Sequence, residues 1–151
     1  MDTSRSAPDA PVAFRKEAKP QIVLVDDNPM TVKLATYIFQ EAGWKVHGFT
    51  SPEVALEALR SFEPDMIVTD FYMPQMNGIE FLLCVETLHP TTPKLVMTAH
   101  DDEEFVQVVL RRASVPSVNK NKGLTEVLSM ATRLVQVRQA VKEKNLLMEA
   151  V

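Results

Sequence analysis

Short apolar runs alternate with longer amphipathic stretches along the chain from Pro20 onward. The first run, residues 21–25, is continuous and rich in β-branched residues, which is typical of a strand buried on both faces. Four comparable runs follow it, each separated from the last by enough chain for a helix. The predicted strands cover residues 21–25, 44–49, 65–69, 94–98 and 115–118.

Apolar residues at helical spacing follow every strand. Asn28 can cap a helix whose first residue is Pro29, and Ser51-Pro52-Glu53 opens the second helix. We expect Leu34 and Val54 to face the core. The first two predicted helices begin at residues 29 and 51, the third and fourth cover residues 79–88 and 102–112, and the fifth begins at Gly123. This alternation implies a parallel sheet with helices on both faces, because each connection is a right-handed crossover.

Composition narrows the class of protein. The 151 residues, 46% of them hydrophobic, suffice for one domain with tails. The net charge of -4 gives no general attraction to nucleic acid, so no direct nucleic-acid binding is expected. The single cysteine, Cys84, favours a reducing, cytoplasmic setting. No apolar run approaches the roughly 18 residues that cross a bilayer, so no membrane insertion is expected.

Polar side chains collect where the predicted strands end. Asp26 and Asp27 follow the first strand, Asp70 the third, Thr98 ends the fourth, and Lys120 follows the fifth. The carboxyl ends of parallel strands carry the site in such sheets. Three carboxylates brought together repel one another unless a cation neutralises them, and Mg²⁺ is the expected ion because it prefers oxygen ligands and commonly works beside phosphate.

Asp70 is the candidate reactive group. Pro74 restricts the backbone just beyond it and Gly78 permits a turn, so the carboxylate lies on a stiff loop. Such a carboxylate can be a nucleophile, a metal ligand or both, or it can simply end a strand and cap a turn. With Thr98 and Lys120 binding phosphoryl oxygens, the product at Asp70 would be an aspartyl phosphate.

The chain resembles the receiver domain of two-component response regulators over residues 21 to about 135. The matching features are the acid pair Asp26-Asp27, the D-x-x-M-P-x-M-x-G run that begins at Asp70, residues 96–99 (Val-Met-Thr-Ala), and a lysine after the fifth strand. The resemblance implies a flavodoxin-like doubly wound sheet of five parallel strands in the order 2-1-3-4-5, with five helices of which the last is extended.

The resemblance also implies the roles of the site residues. Asp70 would accept phosphate from a histidine kinase or a phosphotransfer protein. Asp27, Asp70 and the Tyr72 carbonyl would bind Mg²⁺, with Asp26 contacting the metal through water. Thr98 and Lys120 would bind the phosphoryl group. Phosphorylation would then switch the surface formed by the fourth helix, fifth strand and fifth helix.

Several positions depart from the pattern of the family. The family usually has Lys-Pro after the fifth strand, whereas here Lys120 and Lys122 are both present without a proline, and the spacing from Thr98 favours Lys120. Ser117 stands where many receivers place an aromatic switch residue.

Tyr72 and His100 are expected to flank the phosphoryl group and control access of water, although His100 could equally be an ordinary exposed loop residue.

Two other functions compete with the signalling switch. A Mg²⁺-dependent phosphatase with an aspartyl-phosphate intermediate usually needs a second acid two residues past its nucleophile, and that position is Tyr72. A receiver kept only as an interaction module is the other alternative. We expect a phosphoacceptor signalling domain that assists its own phosphorylation and dephosphorylation rather than an enzyme.

The expected organisation is a disordered tail over residues 1–19, a receiver domain over 20–133 and a helical extension over 134–151. Apolar residues recur at heptad spacing along the last helix, with Lys144 as the one charged interruption. This spacing predicts a homodimeric coiled coil, and the alternative is a frayed helix end or a linker with no partner. The predicted seam consists of Val127, Met130, Leu134, Val137, Val141, Met148 and Val151. The chain would then act alone through partners or lead into an effector domain beyond residue 151.

Overall fold

The computed structural model describes residues 18–99 and 104–150. Five parallel strands form one sheet in the order β2-β1-β3-β4-β5, with helices on both faces, which confirms the predicted flavodoxin-like fold. In chain order the elements are β1 (Gln21–Val25), α1 (Pro29–Glu41), β2 (Lys45–Phe49), α2 (Pro52–Leu59), β3 (Met66–Asp70), α3 (Gly78–Leu88), β4 (Lys94–Thr98), α4 (Glu104–Ala113), β5 (Ser117–Asn119), a 3-10 turn (Lys120–Lys122) and α5 (Leu124–Ala150).

The central strands are buried on both faces, as their continuous apolar runs predict. Alternate residues of β1 enter two separate clusters, so Val23 packs with α2, α3 and α4 while Ile22 and Leu24 pack with α1 and α5. The two clusters form the two layers of core between the sheet and its helices. This layering leaves the loops at the carboxyl ends of the strands free to form a site.

The first two helices start where the sequence predicts, but two predicted core residues are wrong. The Asn28 side chain accepts a hydrogen bond from the Met30 N–H and caps α1, and Ser51 caps α2 through Val54 N–H. Leu34 is 53% exposed and Val54 is 57% exposed, because the buried faces of these helices are formed by other residues. The buried residues are Ala35 and Phe39 in α1, and Pro52, Ala55 and Leu59 in α2.

Strand and helix boundaries differ slightly from the predicted ones. β3 ends on Asp70 itself, and β5 covers Ser117–Asn119 rather than residues 115–118, because only those three residues pair with β4. α5 begins at Leu124, one residue after Gly123, whose positive φ of 112° suits glycine. The first two residues of the predicted fourth helix, 102 and 103, lie outside the described residues.

α5 is a single helix of 27 residues, and only its first half packs on the sheet. Val127 is fully buried and Leu134 is partly buried in the core, so these positions are not free for a helix pair. The predicted seam that starts at Val127 is therefore wrong in its first part. The helix continues unbroken past residue 134, and the division into a domain and an extension stays a prediction.

The last contact of α5 with the body of the protein is polar. Arg138 lies 3.3 Å from a Glu63 carboxylate oxygen and donates a hydrogen bond to the Thr91 hydroxyl at 3.2 Å. Beyond it every described residue is exposed up to Ala150. Among the described residues, no helix combines the length and the apolar character that a membrane span requires.

Candidate functional site

Three carboxylates meet at the carboxyl ends of β1 and β3. One carboxylate oxygen each from Asp26, Asp27 and Asp70 lies within 4.8 Å of the other two. Asp26 is fully buried and Asp70 is 7% exposed, whereas Asp27 is exposed. The parallel pairing of β1 with β3 brings together acids that are more than forty positions apart in sequence.

Lys120 completes the cluster from the turn after the edge strand β5. Its Nζ lies 2.7 Å from Asp26 Oδ2 and 3.3 Å from Asp70 Oδ1, and the lysine side chain is 17% exposed. Burial lowers the pKa of Lys120, but hydrogen bonds and charges from Asp26 and Asp70 outweigh it and raise the pKa overall. The lysine therefore stays charged between the two acids, while Lys122 is exposed.

The surroundings of Asp70 shift the pKa of its carboxyl group strongly. Burial and the neighbouring charge of Asp26 raise its pKa from 3.8 to about 6, although Lys120 and the Phe71 backbone N–H partly offset the rise. Removal from water disfavours the charged form of a carboxylate, and a nearby like charge acts in the same direction. At neutral pH this carboxylate is ionised but poorly stabilised, which favours any cation that can approach it.

The loop after Asp70 is held at both ends. Phe71 N–H donates to the Met97 carbonyl at 3.0 Å, and Gly78 N–H donates to the Phe71 carbonyl at 2.7 Å. A Cβ at residue 78 would clash with the Asp70 carbonyl oxygen, so the close approach requires glycine. A capping box between Asn77 and Glu80 starts α3 directly after this turn.

Asn28 has a role that the sequence did not reveal. Its backbone N–H donates to Asp26 Oδ1 at 2.9 Å while its side chain caps α1. Asp26 is thus held by Asn28 on one oxygen and by Lys120 on the other. The sequence indicated only that Asn28 caps α1. Its bond to Asp26 comes from the backbone N–H, which every residue except proline has, so the identity of the side chain does not reveal it.

The remaining predicted residues occupy different parts of the site. Thr98 is 1% exposed at the end of β4, where it pairs with Asn119, the residue before Lys120. Tyr72 is 42% exposed on the loop after Asp70, and Ser117 is half-buried in β5. His100 lies outside the described residues. Thr98 therefore lies at the end of β4, beside the end of β5 from which the Lys120 turn begins.

The donor set of the cluster suits a hard divalent cation. Carboxylate oxygens are the ligands that Mg²⁺ prefers, and the exposure of Asp27 leaves the cluster open to solvent on one side, as an ion that keeps several waters requires. The raised pKa of Asp70 points the same way, because a cation relieves the repulsion between buried acids. The residues present therefore fit the ion.

A groove of about 850 Å³ lies beside the cluster, between α1 and the start of α5. Lys120 and Asn28 belong to its lining as well as to the acid cluster. Most of its wall is apolar, and the exposed fractions are 69% for Met30, 53% for Leu34 and 62% for Tyr37. The groove and the cluster form one continuous surface.

Comparison with known proteins gives a consistent result. A family model described as "Response regulator receiver domain" matches residues 22–132. The transcriptional regulator NtrC of Proteus hauseri is 28% identical over 82% of this chain and 26% of its own length. The probable transcriptional regulatory protein TcrX of Mycobacterium tuberculosis is 31% identical over 76% of this chain and 49% of its own length. The chain thus spans about a quarter to a half of these curated relatives.

Solved structures show the same fold. A CheY-like receiver domain protein from Methanospirillum hungatei superposes with a TM-score of 0.74 at 18% identity, covering 82% of this chain and 98% of that one. The chemotaxis protein CheY4 of Vibrio cholerae gives a TM-score of 0.70 at 24% identity, covering 78% of this chain and 99% of that one.

Proposed function

Because the chain belongs to the response regulator receiver family, we propose that it is a switch in which Asp70 accepts a phosphoryl group in a Mg²⁺-dependent reaction. The observation that carries the proposal is the ion-pair arrangement of Lys120, which contacts both Asp26 and Asp70. A lysine in that place leaves Asp70 with a cation beside it and an open side toward Asp27. An anionic donor can approach from there.

The donor would be the phosphohistidine of a histidine kinase or a phosphotransfer protein. An oxygen of ionised Asp70 attacks phosphorus, a P–O bond forms, and the P–N bond breaks with its electron pair remaining on the imidazole nitrogen. Lys120 and Thr98 would bind the phosphoryl oxygens, since an ammonium group and a hydroxyl are both donors to such oxygens. No proton has to leave Asp70 above its pKa of about 6.

Mg²⁺ would be held by Asp27, Asp70 and the Tyr72 carbonyl, with Asp26 contacting it through water. When bound, the ion neutralises the carboxylates and the phosphoryl oxygens that approach them. The chain's own contribution is a fixed placement of the acids. Asn28 N–H and Lys120 Nζ each hold one Asp26 oxygen, and the Gly78 turn holds the Asp70 loop.

The groove beside the site is proposed to receive the helix that carries the phosphohistidine. Its apolar wall suits the apolar face of an amphipathic helix, and Lys120 lines both the groove and the acid cluster. A helix seated there would bring its histidine to the open side of Asp70. Acetyl phosphate needs no such docking, so the two donors separate recognition from chemistry.

The output would be a change at the surface formed by α4, β5 and α5. Lys120 directly follows β5 in this surface, and the projecting end of α5 continues from it. Phosphorylation adds charge at Asp70 and can shift the equilibrium between two arrangements of that surface. A phosphatase is disfavoured because Tyr72 stands where its general acid would be. A receiver kept only for interaction would not take up phosphate.

The test is intact mass measurement after incubation with acetyl phosphate. We expect one added phosphoryl group with Mg²⁺ present and none with a chelator, none in Asp70→Asn, and little in Asp27→Ala. Glu41→Gln, which removes an exposed acid at the end of α1, is the matched control and should be labelled like the wild type. Equal labelling of Asp70→Asn would refute the site, and full labelling without metal would refute the metal dependence.

A further inference from the structure

Lys120 contacts acids that belong to other strands than the one it follows. It follows β5, which β4 separates from β3, and β4 and β3 together separate it from β1, yet its Nζ contacts Asp70 at the end of β3 and Asp26 just after β1. The position of its backbone is therefore critical, because a small shift of the turn would withdraw the ammonium group from one or both carboxylates.

The turn that carries Lys120 is held by asparagine side chains. Asn119 Oδ1 accepts a hydrogen bond from the Asn121 backbone N–H at 2.8 Å, which caps the 3-10 turn. The Asn121 side-chain amide donates to the Ala99 carbonyl at 3.3 Å, and Ala99 directly follows Thr98. One side chain thus ties the Lys120 turn to the loop after β4.

Proline at residue 121 could form neither contact, since proline has no backbone N–H and no side-chain donor. The chain lacks proline there and has two hydrogen bonds in its place. The bond to Ala99 also links the Lys120 turn to the residue that follows Thr98. Thr98 and Lys120 are the two residues proposed to bind the phosphoryl oxygens.

We propose that Asn121 is a positioning residue that holds Lys120 over the acid cluster and couples its turn to the Thr98 loop. The inference rests on the function proposed above. Asn121 donates its hydrogen bonds to Asn119 and Ala99 rather than to either acid, so its effect would pass through Lys120. Phosphorylation that draws Thr98 inward would move Ala99 with it, and the Asn121 amide would transmit that movement to the start of α5.

The experiment is a double-mutant cycle on the rate of Asp70 labelling by acetyl phosphate. Asn121→Ala should slow labelling about two- to tenfold, which is the range expected for the net contribution of one hydrogen bond. Its affinity for Mg²⁺, measured separately by titration, should stay that of the wild type, because the metal ligands are untouched. Asn145→Ala, an identical change on the exposed end of α5, should label at the wild-type rate.

The second arm separates positioning from a general loss of structure. In a Lys120→Ala background, Asn121→Ala should slow labelling no further, because a residue that acts through the lysine has nothing left to position. An equal effect in both backgrounds, or no effect in either, would overturn the inference. Absence of labelling in the wild type would instead refute the proposed function, so the two failures are distinguishable.

Discussion

Replacing Asp70 by asparagine should stabilise the metal-free protein at alkaline pH. The rise in the pKa of this carboxylate from 3.8 to about 6 corresponds to about 3 kcal/mol at about 1.4 kcal/mol per pKa unit. The cost arises because the ionised group is buried beside Asp26. An amide of the same shape keeps the packing and removes the charge.

The pH dependence has a definite sign. Well below pH 3.8 the carboxyl group is protonated in both the folded and the unfolded chain, and it contributes no difference in free energy of unfolding. As pH rises toward about 6 the folded state keeps its proton while the unfolded chain loses it, so the free energy of unfolding falls. Above that range the full cost is present and constant.

The assay is urea denaturation in the presence of a chelator at about pH 8 and again near pH 3.5. Asp70→Asn should exceed the wild type by up to about 3 kcal/mol at the higher pH and by little at the lower one. Asp27→Asn, the exposed neighbour, should show a much smaller gain. Added Mg²⁺ should raise the stability of the wild type more than that of Asp70→Asn. Equal stability of the two proteins at pH 8 would refute the reasoning.

Three further predictions concern the turn, the groove and the last helix. Gly78→Ala should lower the free energy of unfolding by about 1–3 kcal/mol in denaturant and reduce labelling, since its Cβ would meet the Asp70 carbonyl; unchanged values in both measurements would refute the turn geometry. Leu34→Ala with Tyr37→Ala should slow phosphoryl transfer from the active members of a panel of purified histidine kinases at least several-fold, while labelling by acetyl phosphate stays the same. Equal slowing with both donors would count against docking in the groove. A chain ending at residue 139 keeps the Arg138 contact but loses the exposed Val141 and Met148. It should sediment as a monomer under conditions in which the full chain forms a dimer through these residues. Monomers of both lengths would contradict the pairing.

The sequence by itself determined the strands and the acids that follow them. A continuous apolar run such as residues 21–25 specifies a strand buried on both faces wherever it lies, and Asp26 and Asp27 are carried at its end. The caps at Asn28 and Ser51 are equally local, since each side chain bonds an N–H two or three residues ahead. The motif that begins at Asp70 was recognisable for the same reason.

Tertiary structure alone decided which faces are covered and which lysine reaches the acids. Helical spacing offers Leu34 and Ala35 alike to a core, but only the sheet shows that Ala35 packs while Leu34 borders a groove. Val127 fits a heptad seam in the sequence, but in the structure it is buried in the core of its own domain.

The site shows the same division. Spacing favoured Lys120 over Lys122, yet the contacts with Asp26 and Asp70 depend on the order of four strands. The Asn121 amide meets the Ala99 carbonyl across 22 positions of sequence. Local patterns specify an element because its hydrogen bonds are short in sequence, whereas contacts between loops exist only after the sheet has brought their strands together.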